Sequence, residues 1–336
     1  MNDSMNHPIQ WAFPKDWIIT MQLINDFWVS HAIYVSTKLG IPEILKDGPK
    51  QCRVISDTVS ADPDSLYRLL HFLACYGIFQ EQPRQTFSIT AFSKRLMKGA
   101  SGSLYAWTLL SGEIFYQACG SLLECIKTGK SPRPLYQLLE GNTSQAEIFN
   151  EAMAELAVME DNSFFDDYDF STVEKIVDIG GGKGGLIQTI LRENPWVKGI
   201  IFDQESVINQ MENNLEEGLQ GRCTFAKGDF FAEIPGNGNI YFLRKVLHNW
   251  SDEEALKILR NCARAMNEES KLFIIDVLLP CKVPFVGEYL TLNALVIGGR
   301  ERFQEDIERL LNASGLSMDH IVATKSQNSI IVAVKK

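Results

Sequence analysis

A sheet of parallel strands that ends in an antiparallel hairpin, carried behind a helical N-terminal domain, is the α/β fold predicted here by three observations. The first is the stretch Lys175-Ile-Val-Asp-Ile-Gly-Gly-Gly-Lys-Gly-Gly-Leu186, followed by an apolar-periodic segment to Arg192. Its apolar first half reads as a buried parallel strand. Strand, glycine turn and helix together open a Rossmann-like nucleotide-binding unit. The second is alternation: strand-like runs at 175–179, 198–202, 223–227, 239–244, 271–277, 320–325 and 329–334, with helical patterns at 185–193, 205–217, 252–266 and 302–313. The third is the link between the last two runs, Ser326-Gln-Asn328, which is too short for a crossover helix, so these strands must pair antiparallel.

Three parts follow from this: residues 1–100, a helical and winged-helix domain; 101–168, linking and substrate-side helices; and 169–336, the nucleotide-binding domain. Residues 1 to about 15 read as loose. Trp17, Met21, Ile24, Trp28 and His31 then recur at helical spacing, and Gly40 ends the pattern. So many large apolar groups near a terminus imply burial against a second subunit. Asp62-Pro63-Asp64 caps the next helix, Ser65–Tyr76, and the runs at Phe79 and Phe87 pair as a hairpin across Gln82-Pro83-Arg84. This winged-helix pattern is shared with DNA-binding proteins. The helix that would enter a groove, however, is mostly Leu66, Tyr67, Leu69, Leu70, Phe72 and Leu73, a core composition. Further helices cover 103–165, with Gly129–Pro134 as a loop and an apolar face through Phe149, Met153 and Met159.

Composition narrows the function classes. The chain has 336 residues, 45% hydrophobic and 22% charged, with a net charge of -10. That charge opposes nucleic-acid and anionic-membrane partners. No run approaches the roughly 18 apolar residues of a membrane span, and the N-terminus lacks a signal-peptide pattern. The seven cysteines include no C-x-x-C pair and read as reduced thiols, so the expected location is cytoplasmic and no metal site is expected.

The glycine loop fits two ligand patterns. Gly180, Gly182 and Gly185 match the dinucleotide pattern, whereas Asp178 with Gly180, Gly182 and Gly184 matches the acidic-x-G-x-G-x-G pattern of S-adenosylmethionine (SAM) enzymes. Asp178 favours SAM, since a carboxylate there attracts a cationic amino-acid end and repels a pyrophosphate. In an open α/β sheet the ligand lies at the carboxyl ends of the strands. After the second strand come Asp203 and Gln204, where a carboxylate can accept ribose hydroxyls. After the third come Asp229, for an adenine amino group, and Phe230, for the ring. Arg244 ends the fourth. Next is His248, whose near-neutral pKa suits it to take a proton from an acceptor hydroxyl, with Asn249 and Trp250 beside it. A base needs an orienting partner, and Asp276 and Glu301 are both candidates.

These motifs together resemble the class I SAM-dependent O-methyltransferases of the caffeic acid O-methyltransferase type, including bacterial relatives that act on natural products. The resemblance runs through Val177-Asp-Ile-Gly-Gly-Gly-Lys-Gly184, Leu247-His-Asn-Trp250 and Gly298-Gly-Arg-Glu-Arg302 in that order, and through Phe149-Asn-Glu-Ala-Met153 on the substrate side. It implies a homodimer formed through residues 20–98, SAM as cofactor, S-adenosylhomocysteine as product and a small aromatic acceptor. It also implies His248 as base, with Asp276 and Glu301 holding it. Asn249 stands where the family has aspartate, Asp276 where plant members have glutamate, Phe303 where threonine is common, and Asn293 where a methionine often meets the acceptor. Rival readings are a SAM-binding member repurposed for other chemistry, an N- or C-methyltransferase, and a DNA-binding regulator.

Overall fold

A computed structural model describes residues 13–157, 165, 168–211, 215–281 and 286–336. The tail read as loose lies largely outside these, as does Met159. The chain forms two compact units, divided between Glu113 and Ile114.

In the first unit, helices Lys15–Asn25 and Phe27–Lys38 carry Trp17, Met21, Leu23, Ile24 and Trp28 on exposed surface. Gly40, with φ 67°, turns the chain into the short helix Ile41–Ile44. The helix Pro63–Cys75 starts as its sequence dictates: the Asp62 side chain accepts a hydrogen bond from the Ser65 amide at 2.8 Å, and Pro63 fills the first turn. It buries Leu66, Leu70 and Leu73 against Ile41, Phe79 and Phe87, leaving Arg68 and His71 outside. Strands β1 (Lys50–Gln51), β2 (Phe79–Gln82) and β3 (Thr86–Ile89) form the wing in the order β1-β3-β2. The two-residue β1 and the helix Ala91–Lys94 carry too little periodicity to be read from sequence. A π-helical turn at Ser111–Phe115 also escapes a pattern reading. Its Gly112 leaves room for Tyr34, whose Cγ would lie 2.1 Å from a Cβ there.

The second unit begins with helices Tyr116–Cys119, Leu122–Thr128, Leu135–Leu139 and Thr143–Ala157. Its sheet contains β4 (Lys175–Ile179), β5 (Lys198–Asp203), β6 (Cys223–Lys227), β7 (Ile240–Arg244), β8 (Lys271–Leu279), β10 (Leu316–Ala323) and β11 (Asn328–Lys335), in the order β10-β11-β8-β7-β4-β5-β6. The strands β6, β5, β4, β7 and β8 run parallel, and β11 pairs antiparallel with both β8 and β10. The expected hairpin is present, with β10 starting four residues earlier than its pattern suggested. Both faces are covered. Val177, Ile179, Leu243, Ile258 and Leu311 pack on one side, and Ile176, Phe242, Phe273, Ile187 and Leu191 on the other. This two-sided burial is why these strands read as continuous apolar runs.

Three sequence expectations need correction. The helix expected over 205–217 is present at Glu205–Met211; residues 212–214 lie outside the described residues, and Leu215–Glu217 are not helical, just ahead of Gly218 and Gly221 with positive φ. A helix at Val286–Ile297 was not anticipated, since its few polar residues, Glu288, Thr291 and Asn293, do not form a clear helical stripe among the apolar ones. The helix expected from 302 begins at Gln304, because Arg302–Phe303 forms a short strand, β9, parallel to Leu278–Leu279 of β8.

Candidate active site

Strand β4 lies between β5 and β7, with Ile179 level with Phe202 and Leu243. The loops leaving these strands therefore emerge together, at the point where the strand order reverses. Gly180, Gly182 and Gly184 adopt φ of 68°, 52° and 66°, a region closed to most side chains. A Cβ on Gly180 would lie 2.9 Å from Val246 Cγ2, and one on Gly184 2.4 Å from Ile201 Cδ1. Gly185, which only the dinucleotide pattern needed, is an ordinary first residue of the helix Gly185–Glu193.

Two carboxylates face this loop. Asp178 is 3% exposed, and burial, opposed by Arg244 and reinforced by Asp203, pushes its carboxyl up to about 7. A buried acid in that state favours a cation brought beside it. Asp203, at the tip of β5, accepts the Gly182 amide on Oδ2 at 2.9 Å and the Gln204 amide on Oδ1 at 2.7 Å. Burial raises its pKa too, against those two donors. Each of its oxygens keeps a lone pair, enough for a vicinal diol. Asp229 is exposed at the end of β6 and accepts the Phe231 amide at 2.8 Å. Phe230 makes edge contacts with Phe231 and Trp250, centroids 4.9 and 5.8 Å apart. Its Cε1 would lie 3.9 Å from a Cβ on Gly180. Arg244 is half-buried. A backbone cradle that excludes Cβ atoms, a buried acid and a diol-accepting acid fit a nucleoside with a cationic tail, which is SAM.

Val246 links this loop to the second cluster. Two residues on, His248 sits in a 3₁₀ turn, Leu247–Asn249. Its ring Nδ1 lies 3.0 Å from Glu301 Oε1 and 3.6 Å from Asp276 Oδ1, and its backbone amide donates to Asp276 Oδ2 at 3.3 Å. The histidine side chain is 23% exposed, Asp276 6% and Glu301 2%. Glu301 thus lies within hydrogen-bond distance of the ring, while Asp276 accepts from the backbone amide and stands beside the ring. Burial disfavours the imidazolium, but the Asp276 charge and the Glu301 hydrogen bond outweigh it, and the His248 pKa is raised above its ordinary 6.5. Burial likewise works against the Glu301 carboxylate, yet His248, Lys245 and Arg302 hold its pKa below the ordinary range. Asp276 goes up, because burial outweighs His248 and Lys245.

Sequence reasoning assigned no role to three groups that hold this cluster. Gly299 lies so close to His248 that a Cβ would stand 2.3 Å from its carbonyl oxygen. Lys245 reaches within 3.8 Å of Asp276. Arg302 is buried, pairs with Asp252 at 3.0 Å, and donates to the Leu247 and Trp250 carbonyls at 2.8 and 2.7 Å. The motif around Arg302 was visible, but its partners lie some fifty residues away. Replacing Arg302 with methionine strips buried partners from both carbonyls and one from Asp252. We expect a loss of about 3–5 kcal/mol, seen calorimetrically as a melting temperature lower by roughly 10 °C. An unchanged melting temperature would contradict this account of the loop.

The remaining predicted residues are more dispersed. Phe149 and Met153 lie one turn apart, partly buried, on the helix Thr143–Ala157. Asn293 is partly buried on Val286–Ile297, which leads into Gly299. Trp250 packs on Phe231 at 4.7 Å, and the Asn249 amide donates to the Lys245 carbonyl at 2.9 Å.

Comparison with known proteins bears on the family and the fold. Residues 21–99 match the O-methyltransferase dimerisation domain, and residues 124–317 the O-methyltransferase domain. A phenazine O-methyltransferase of Lysobacter antibioticus is 35% identical over 94% of this chain and 95% of its own. The solved mitomycin 7-O-methyltransferase superposes with a TM-score of 0.91 at 28% identity, covering 96% of this chain and 98% of that one. A phenazine-1-carboxylate N-methyltransferase of Pseudomonas aeruginosa is 27% identical over 94% of this chain and 96% of its own. Among the described residues, no helix is long and apolar enough to cross a membrane. Fold, glycine cradle and domain matches together make the chain a member of the O-methyltransferase family, a SAM-dependent methyltransferase of the natural-product type.

Proposed function

We propose that the enzyme methylates a phenolic or enolic hydroxyl of a small aromatic metabolite, with His248 as general base. The observation that carries this is the His248 ring between two buried carboxylates, on a loop whose Val246 abuts Gly180. Asp178, Gly180, Gly182, Gly184, Asp203, Gln204, Asp229, Phe230 and Arg244 would hold SAM. When bound, SAM supplies an electrophilic methyl group on a sulfonium centre.

The chain's own residues do the rest. Glu301 accepts the Nδ1 proton of His248, which leaves the Nε2 lone pair for the acceptor hydroxyl. As that proton arrives, the ring becomes an imidazolium between Glu301 and Asp276, where its charge is favoured. Phe149, Met153, Asn249, Trp250 and Asn293 would shape the acceptor pocket. The exposed apolar surface of Lys15–Asn25 and Phe27–Lys38 would be covered in a homodimer. The phenazine O-methyltransferase relative supports a fused aromatic acceptor, and the N-methyltransferase relative favours nitrogen as the second reading.

Incubating the purified enzyme with SAM and matched hydroxy- and aza-aromatic acceptors, with mass spectrometry of the products, decides between them. Methyl ethers are expected; methylation at ring nitrogen alone would overturn the hydroxyl assignment. The raised His248 pKa also sets a pH dependence. A base must be unprotonated, so kcat/KM is expected to fall as pH drops through an apparent pKa above 6.5. A pH profile with no acid limb would contradict it.

A further inference from the structure

We infer that Lys245, clamped by Asn249, is a positioning residue of the His248 cluster whose ammonium partly cancels the Asp276 charge beside the imidazole. The inference rests on His248 being the base.

The backbone supplies the first argument. Lys245 is not glycine, yet it holds φ 56° at the end of β7. An L-residue adopts that left-handed conformation only where its surroundings impose it. Here they do: its amide donates to the Ile275 carbonyl at 2.9 Å, and its own carbonyl accepts the Asn249 Nδ2 at 2.9 Å. The aspartate that the family resemblance leads one to expect at position 249 has no proton to donate and would repel that carbonyl. Asparagine at 249 and a left-handed lysine at 245 therefore belong together.

The second argument is charge. The Lys245 side chain is 20% exposed, with Nζ 3.8 Å from Asp276 Oδ1. Among the described residues, the titratable groups facing the imidazole are Asp276 from β8, Glu301 from the loop before β9, and Lys245 from the end of β7. Arg302 lies beyond Glu301, tied to Asp252 and two carbonyls. Asp276 and Glu301 both favour the protonated imidazole. Lys245 is close enough to offset Asp276, and its effect on the imidazole is downward.

The test is NMR titration of the His248 imidazole in enzyme carrying ¹⁵N-labelled histidine, with the resonance assigned by its loss in His248→Ala, alongside the pH profile of kcat/KM. Lys245→Met and Lys245→Gly both remove the charge, and glycine also relieves the strained backbone. Each is expected to raise the His248 pKa by about 0.5–1 unit and to move the acid limb upward with it. Lys245→Arg should retain the wild-type values, and Asn249→Ala should shift both readouts in the same direction by less. An imidazole that titrates alike in wild type and in both charge-removing variants overturns the inference. If the imidazole moves while the acid limb stays, Lys245 still tunes His248, but the base assignment has failed.

Discussion

Replacing His248 with alanine is expected to lower kcat by about 10²–10⁴-fold and to leave S-adenosylhomocysteine affinity unchanged. The two effects separate because the histidine and the nucleoside cradle sit on different loops, joined through Val246. Without the imidazole, an acceptor hydroxyl must reach the methyl donor protonated or already ionised. The defect should therefore shrink for acidic phenols, which ionise unaided, and grow for weakly acidic ones. Kinetics across phenols of graded acidity, with calorimetry for the product nucleoside, measure both effects. A uniform defect for all acceptors would point to lost positioning instead. Full turnover with a weakly acidic phenol would end the base assignment.

Replacing Asp203 with alanine should weaken SAM binding by about 100-fold. Hydrogen bonds to a charged carboxylate are each worth roughly 1.5–3 kcal/mol, and this residue has two oxygens to offer a ribose diol. It also accepts the Gly182 and Gln204 amides, so its loss frees the glycine loop. An Asp203→Asn variant separates the two contributions. The amide keeps one acceptor oxygen for a loop amide, but it loses the charge and half the acceptor capacity. We expect its affinity to fall between wild type and alanine in isothermal titration. An alanine variant that binds SAM as tightly as wild type would show that Asp203 serves the loop alone.

Much of the architecture was legible because buried parallel strands leave continuous apolar runs. The buried segment at 175–179 has the bounds that its pattern indicated, as does the edge strand at 223–227, where only Cys223 is buried, and the three-residue link after Lys325 already demanded an antiparallel pair. The glycine spacing carried its own physics. A turn of nearly pure glycine before a helix announces left-handed backbone, and φ at Gly180, Gly182 and Gly184 has that sign. The helix Val286–Ile297 was not legible, because its polar residues, Glu288, Thr291 and Asn293, are too few and too scattered to set a period.

By itself, then, the sequence determined the strand ladder, the glycine turn, the capped helices and the family, since these depend on residues close together in the chain or on motif order. Only the tertiary structure decided which acid meets the His248 ring, where Arg302 spends its hydrogen bonds, and that Lys245 turns back onto Asp276. Glu301 lies 53 residues beyond His248, and Arg302 reaches a carbonyl 55 residues away. Such pairings are made by adjacent strand ends in the folded sheet, and no local spacing encodes them.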